Sequence, residues 1–113
     1  MWAPHIQVCW KPILAFTKRG CNRAPRMMDD VVRGSGTEKS RHQWQQAEDE
    51  AGWLIEKLTD VGDLVLDPFL GSGTVGAAAV RRGRFFLGCD VESGCVHEAR
   101  QRLAAITAEA AAS

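Results

Sequence analysis

The sequence lacks the features of a membrane, secreted or zinc-binding protein. No apolar run approaches the roughly 20 residues that cross a bilayer. The N-terminus has no charged-then-apolar signal pattern, so we expect a cytoplasmic protein. The four cysteines form no CxxC pair and the three histidines lie far from them, so no metal site is predicted and free thiols are favoured.

Size and composition fit one small soluble domain. The chain has 113 residues, 45% of them hydrophobic and 25% charged. A net charge of zero hides an asymmetry: eight basic and three acidic residues lie within positions 1–43, and six basic and eleven acidic residues follow. The basic front half fits either a segment that faces nucleic acid or a solvated loop.

Three regions follow from the distribution of apolar and loop-forming residues. Residues 1–18 hold two short apolar stretches around Lys11-Pro12, which predict strands. Residues 19–46 lack periodicity and predict a basic flexible loop. Residues 47–113 are predicted to form the ligand-binding portion, which opens with a helix over Ala47–Leu58 whose first turn carries three acidic residues.

A strand–helix–strand–helix pattern follows this first helix. Leu64–Leu66 is a continuous apolar run, as in a strand covered on both faces. Helices are predicted over Thr74–Arg82 and about Val96–Ala108, with a second strand at Phe85–Leu87 between them. The fold class is therefore α/β, with a parallel sheet and flanking helices.

The turn after the first strand has the composition of a ligand site. The stretch "LDPFLGSGTV" (residues 66–75) places an acid and two glycines beyond the carboxyl end of a strand, where open parallel sheets bind ligands. Glycines let the backbone approach a ligand closely. Asp90 ends the next strand, 23 residues after Asp67, and is placed to bind ribose hydroxyls. These features predict a cofactor that contains adenosine.

Three cofactor classes compete for this turn. A triphosphate-binding loop needs a lysine before Thr74, and Gly73 stands there instead. The dinucleotide pattern GxGxxG is matched literally by residues 71–76. However, the Asp67 carboxylate would repel a pyrophosphate and attract the ammonium group of S-adenosylmethionine. The sequence therefore favours S-adenosylmethionine, with a dinucleotide as the competing ligand.

The residues from about Ser40 to Ala105 resemble the DNA amino-methyltransferases that modify adenine N6 or cytosine N4. The resemblance lies in "HQWQQAEDEAGWLIEKL" and in "VGDLVLDPFLGSGTVGAAAVRRGRFFLGCDVESGCVHEARQRL". It implies a partial Rossmann-like methyltransferase fold, in the permuted subgroup that places the catalytic motif before the cofactor motif, and it is closest to phage and restriction-type methylases. The cofactor-binding residues that it implies are Asp67, Phe69, Gly71, Ser72, Gly73, Thr74, Asp90 and Gln46.

The catalytic motif of that family is missing. The family carries Asp, Asn or Ser followed by Pro-Pro and an aromatic residue, and no such segment occurs here, so no catalytic residue is assigned. The resemblance therefore implies a truncated or split enzyme that acts on a base flipped out of double-stranded DNA. The bare edge of the first strand would need a second polypeptide or an oligomer to cover it. The alternative is a non-catalytic S-adenosylmethionine-binding remnant or regulatory subunit.

Overall fold

The computed structural model describes residues 12–20, 31–32 and 43–113, with residues 43–47 described by their backbone alone. The regular elements within these ranges are, in chain order, α1 (Gln43–Leu58), β1 (Leu64–Asp67), α2 (Thr74–Arg81), β2 (Phe85–Gly88) and α3 (Ser93–Ala112). The two strands pair in parallel, with Leu64 opposite Phe85 and Asp67 opposite Gly88, and α2 connects them. The α/β class with a parallel sheet and flanking helices is confirmed.

The core lies where α1 and α2 pack against one face of the sheet. Ile55 of α1 and the alanines at positions 78 and 79 of α2 form its buried centre, and Val65 and Phe86 of the strands pack against it. Methyl side chains allow the close approach of helix to strand that high packing density requires. The alanine run therefore lets α2 pack closely against the sheet, and α3 lies against α2.

The opposite face of the sheet is open to solvent in the part of the chain that the structure describes. Leu64, Leu66, Phe85 and Leu87 point to this side, and 58 to 69% of each residue is exposed. We call these four residues the open face. The described residues therefore cover only one face of the strand predicted to be covered on both, because the described helices that contact the strands pack on the side of Val65 and Phe86.

Arg84 ties the end of α1 to the start of β2. Its guanidinium donates to the Thr59 hydroxyl at 3.0 Å and to the Thr59 carbonyl at 2.9 Å. The same side chain donates to the Arg82 carbonyl at 2.7 Å. Carbonyl groups at the end of a helix have no partner within it, so an arginine that reaches them stabilises the helix end.

α1 and α3 are longer than predicted. α1 begins at Gln43 and not at Ala47, so it takes in the last four residues of the predicted loop. The acidic residues at positions 48–50 therefore lie beyond the first turn, and the predicted stabilisation by the helix dipole does not apply to them. α3 begins at Ser93 and continues to Ala112, because its alanine-rich end favours helix without needing an apolar stripe.

The structure tests only part of the prediction for the N-terminal region, because it describes only some of these residues. Residues 12–18 contain no strand, and Ile13, Leu14 and Phe16 are exposed. A strand needs a neighbour to satisfy its backbone groups, and none is placed beside this stretch among the described residues. Residues 1–11 and most of the predicted basic loop lie outside the described residues, so the proposed division at positions 18 and 46 stays a prediction.

Candidate functional site

The carboxyl ends of the two strands bring Asp67 and Asp90 to the same edge of the sheet. Asp67 is the last residue of β1 and pairs with Gly88, the last residue of β2, and Asp90 follows two positions later. The pairing continues past the strands, since Cys89 N–H donates to the Asp67 carbonyl at 3.1 Å. The sequence placed both carboxylates at neighbouring strand ends, and the structure brings them together there.

Asp90 is held by backbone N–H groups on both sides. Its Oδ1 accepts from the N–H of Glu92 at 2.9 Å, and its Oδ2 accepts from the N–H of Gly71 at 2.8 Å. These two hydrogen bonds, that of Glu92 first, lower the pKa of the Asp90 carboxyl below its ordinary value. A carboxylate has about four lone-pair sites, so each oxygen keeps capacity for a hydroxyl of a ligand.

Asp67 has a different setting. Its Oδ1 accepts from the N–H of Phe69, two residues further along the chain, at 2.9 Å. Among the described residues no side chain or backbone donor reaches its Oδ2. The Asp67 carboxylate is therefore held within its own turn. Its Oδ2 has no donor among the described residues and is available to a cation at the edge of the sheet.

The glycine turn between β1 and α2 requires both of its glycines. Gly71 and Gly73 have φ values of 51° and 81°, in the left-handed region that favours glycine. A Cβ on Gly73 would lie 2.9 Å from the Cβ of Ala99, so this glycine also allows α3 to pack against the turn. A Cβ on Gly71 would meet nothing within 4 Å, so the turn has open space at this position.

Ser72 and Thr74 are linked to each other and to α3. Their hydroxyl oxygens lie 3.4 Å apart. Arg102 of α3 donates from Nη1 to the Ser72 carbonyl and to Thr74 Oγ1, each at 3.3 Å. The sequence singled out Ser72 and Thr74 but not Arg102, which lies 30 and 28 residues away. No local pattern connects these positions, so only the fold could reveal the contact.

Two exposed apolar side chains stand at the rim of the site. Phe69 is 86% exposed, immediately after Asp67-Pro68. Val91 is 99% exposed, immediately after Asp90. The family resemblance implied Phe69 as a cofactor-binding residue and did not imply Val91, although the place of Val91 beside Asp90 was a usable signal. Both side chains offer apolar surface to a ring or chain bound between the carboxylates.

Gln46 is the one predicted site residue whose side chain lies outside the described part of the chain. Its backbone belongs to the first part of α1, at the fourth residue of the helix. Gln46 therefore lies within a helix, where the sequence predicted the end of a loop. The contact between Gln46 and a cofactor stays a prediction.

The described residues contain neither a cluster of metal ligands nor a helix that could span a membrane. No group of three or more histidine, cysteine, aspartate or glutamate side chains there is close enough to hold a metal ion. None of the helices found in these ranges has the length and apolar character to span a bilayer. Cys89 and Cys95 are free thiols, and the other two cysteines lie outside the described residues.

Comparison with known proteins finds relatives along most of the chain. The type II methyltransferase M2.DpnII of Streptococcus pneumoniae is 42% identical over 89 residues, which cover 71% of this chain and 32% of that protein. The type II methyltransferase M2.LlaDCHI of Lactococcus lactis subsp. cremoris is 41% identical over 83 residues, which cover 69% of this chain and 31% of that protein. The chain thus spans about a third of the length of these curated relatives.

A solved structure and a family model agree with these relatives. TTHA0409 of Thermus thermophilus, described as a putative DNA modification methylase and complexed with S-adenosyl-L-methionine, matches with a TM-score of 0.50 and 39% identity, over 52% of this chain and 25% of that one. The family model described as DNA methylase matches residues 5–101. This match covers most of the chain, including the glycine turn and both carboxylates, and the chain belongs to the DNA methylase family.

Proposed function

We propose that this chain is the cofactor-binding part of an S-adenosylmethionine-dependent DNA methyltransferase that acts on the exocyclic amine of adenine or cytosine. The observation that carries the proposal is the placement of Asp67 and Asp90 on either side of a glycine turn with open space at Gly71. Membership of the DNA methylase family and the likeness to a methylase complexed with S-adenosyl-L-methionine support the choice of cofactor.

Each side chain of the site suits one part of that cofactor. The lone pairs that remain on Asp90 accept the two ribose hydroxyls, and the free Oδ2 of Asp67 faces the ammonium group. The backbone from Phe69 to Gly73 lines the methionine part and the ribose, and Val91 offers apolar surface to the adenine. The cofactor supplies a methyl group on a positively charged sulfur, and the chain holds and orients it.

A dinucleotide is the competing ligand because the turn matches GxGxxG. Electrostatics oppose it. The pyrophosphate of a dinucleotide would lie against the turn, beside the Asp67 carboxylate, and two like charges in contact repel each other. Arg102 is a cationic side chain that contacts the turn, and it already pairs with Glu48 at 2.8 Å. Asp67 therefore favours a cofactor with an ammonium group and no phosphate.

Calorimetry tests the choice of cofactor directly. Titration of the chain with S-adenosylmethionine and, separately, with NAD should give saturable heat for the first alone. Asp67→Ala should weaken the binding of S-adenosylmethionine, and Asp49→Ala, which removes an exposed carboxylate of α1, should leave it unchanged. Binding of NAD alone would overturn the proposal.

Methyl transfer requires residues that this sequence does not contain. We propose that a second polypeptide supplies these residues and completes the enzyme, and that this polypeptide or a second copy of the chain covers the open face and the free edge of β1. The four exposed apolar side chains of the open face support this proposal, since contiguous apolar surface on a small protein marks an interaction site. The alternative is a non-catalytic S-adenosylmethionine-binding remnant or a regulatory subunit.

Transfer assays separate these alternatives. Tritiated S-adenosylmethionine should label double-stranded DNA only when a polypeptide carrying the Pro-Pro-aromatic motif is added to the chain. Labelling by the chain alone would contradict the need for a partner, and binding without labelling in both assays would favour the non-catalytic alternative. Light scattering of the isolated chain gives a second measurement: a well-behaved monomer would contradict the covering of the open face by a second copy.

The basic segment from Lys18 to Arg41 supports binding to DNA. Neutralising phosphates releases counterions, so DNA affinity that depends on this segment should fall steeply as salt concentration rises. Replacement of Lys18 and Arg19 by glutamine should reduce the salt dependence. Arg100→Gln, which removes an exposed charge of α3, is the matched control and should leave it unchanged. Salt-independent binding would leave only the interpretation of a solvated loop.

A further inference from the structure

The three helices meet at one carboxylate close to the glycine turn. Glu48 of α1 accepts from Arg81 of α2 at 2.9 Å through Oε1 and from Arg102 of α3 at 2.8 Å through Oε2. Only 15% of the Glu48 side chain is exposed. Each oxygen of this partly buried carboxylate thus receives one guanidinium, which fixes the position of both arginines.

Arg102 continues the chain of contacts into the turn. One nitrogen of its guanidinium binds Glu48, and the other donates to the Ser72 carbonyl and to Thr74 Oγ1. Since Oγ1 accepts a hydrogen bond from Arg102, the Thr74 hydroxyl hydrogen is directed away from the guanidinium. Thr74 is then set as a donor toward Ser72 or toward a ligand at the turn.

We infer that Arg102 is a positioning residue of the cofactor site: held by Glu48, it fixes the Ser72 carbonyl and sets the Thr74 hydroxyl as a donor to the cofactor. The inference rests on the proposed function, because it assigns a role at the same site. Glu48 lies two residues after Gln46 in α1, so the same contact ties the start of α1 to the glycine turn. Arg102 thereby couples two elements that the proposed site uses.

Arg82 provides a matched control. It pairs with Glu56 of α1 at 2.8 Å and donates to the Ala78 carbonyl at 3.3 Å, so it also joins α2 to α1. The side chains of Arg82 and Arg102 are equally exposed, at 24%. Arg82 has no hydrogen bond with the turn among the described contacts. Replacement of Arg82 therefore measures the loss of stability when an ion pair between helices is removed and no contact to Thr74 is lost.

Affinity for S-adenosylmethionine and amide hydrogen exchange in the cofactor-free chain test the inference together. Arg102→Met should weaken binding about tenfold, since it removes charge-assisted hydrogen bonds that order the turn. It should also speed exchange at Gly71–Thr74. Arg82→Met should lower the melting temperature, change affinity less than about twofold and leave exchange at the turn unchanged.

Two further variants distinguish positioning from stability. Lysine has a compact ammonium that cannot bind Glu48 and the turn as a planar fork does, so Arg102→Lys should keep the melting temperature but not the affinity. In a Thr74→Val background, Arg102→Met should cost little further affinity, because the hydroxyl that it sets is already gone.

The possible results are separable. Equal effects of Arg102→Met and Arg82→Met on affinity and exchange would overturn the inference while leaving the proposed function intact. Failure of the parent chain to bind S-adenosylmethionine would overturn the proposed function, and with it the role toward the cofactor. Exchange in the cofactor-free chain would still decide whether Arg102 orders the turn.

Discussion

The two strand ends carry the same residue type in different settings. Asp90 joins the segment after β2 to the glycine turn after β1, through hydrogen bonds from Glu92 and Gly71. Asp67 accepts from Phe69 within its own turn. Asp90 therefore holds the turn in place and also presents lone pairs to a ligand, whereas Asp67 mainly presents one oxygen to a ligand. Four predictions test this difference.

Asp90→Ala should have the largest effect. It removes the two hydrogen bonds proposed for the ribose and the acceptor that holds Gly71, so affinity for S-adenosylmethionine should fall at least about 100-fold. Amide exchange at Gly71–Thr74 should become faster in the cofactor-free chain. Calorimetry and exchange measure the two effects, and an alanine variant that binds like the parent would remove Asp90 from the site.

Gly73→Ala should damage the turn that Asp90 holds. The left-handed φ and the approach of the new Cβ to Ala99 should together cost about 2 kcal/mol of unfolding free energy. Gly71→Ala is the matched variant, because its Cβ would meet open space, and it should cost about 1 kcal/mol. Urea unfolding measures both, and equal losses would show that packing against α3 does not constrain the turn.

Asp67→Ala should weaken cofactor affinity without loosening the turn. Affinity should fall at least about tenfold, through loss of the contact with the ammonium group. The midpoint of urea unfolding and the exchange at Gly71–Thr74 should match the parent, since no described hydrogen bond of the Asp67 side chain crosses to the β2 side. A loss of stability as large as that of Asp90→Ala would break the comparison between the two carboxylates.

Acid should remove the contribution of Asp90 to the free energy of unfolding. The pKa of Asp90 is lower in the folded chain than in the unfolded chain, so its ionised form stabilises the fold. This stability is fully present above the pKa of the unfolded chain, about 3.9. It is lost as the pH falls through the pKa of the folded chain. The difference in stability between the parent and Asp90→Asn should therefore be constant above about pH 5 and shrink below about pH 4. Urea unfolding as a function of pH measures it; a difference that persists in acid would contradict the role of the carboxylate.

The central elements could be predicted because their signals are local. An apolar run between turn residues sets β1, and the glycines around it set the turn and the start of α2, so the predicted ends lie within one residue of those observed. The positions of Asp67 and Asp90 follow from the same pattern, since parallel strands place their carboxyl ends on one edge. The fold class and the placement of both carboxylates were accessible in this way.

The rest depends on contacts between distant positions. Glu48 and Arg102 lie 54 residues apart, and neither stands in a motif that announces the other. Alternating burial of β1 could not be predicted, because a run of three apolar residues looks the same whether one or both faces are covered. The early start of α1 could not be predicted because three of the residues at positions 43–46 are glutamines, which lack the apolar spacing that identified the rest of the helix.

The partner proposed for the open face would make the lifetime of the chain in a cell depend on what binds it. A molecule that binds only the folded form stabilises it by mass action, by about 2.7 kcal/mol at a free concentration 100 times the dissociation constant. Proteases remove unfolded chains continuously, and a change of that size alters abundance several-fold. The amount of this polypeptide in a cell would then follow the supply of whatever shields Leu64, Leu66, Phe85 and Leu87, and expression without that companion would shorten its lifetime.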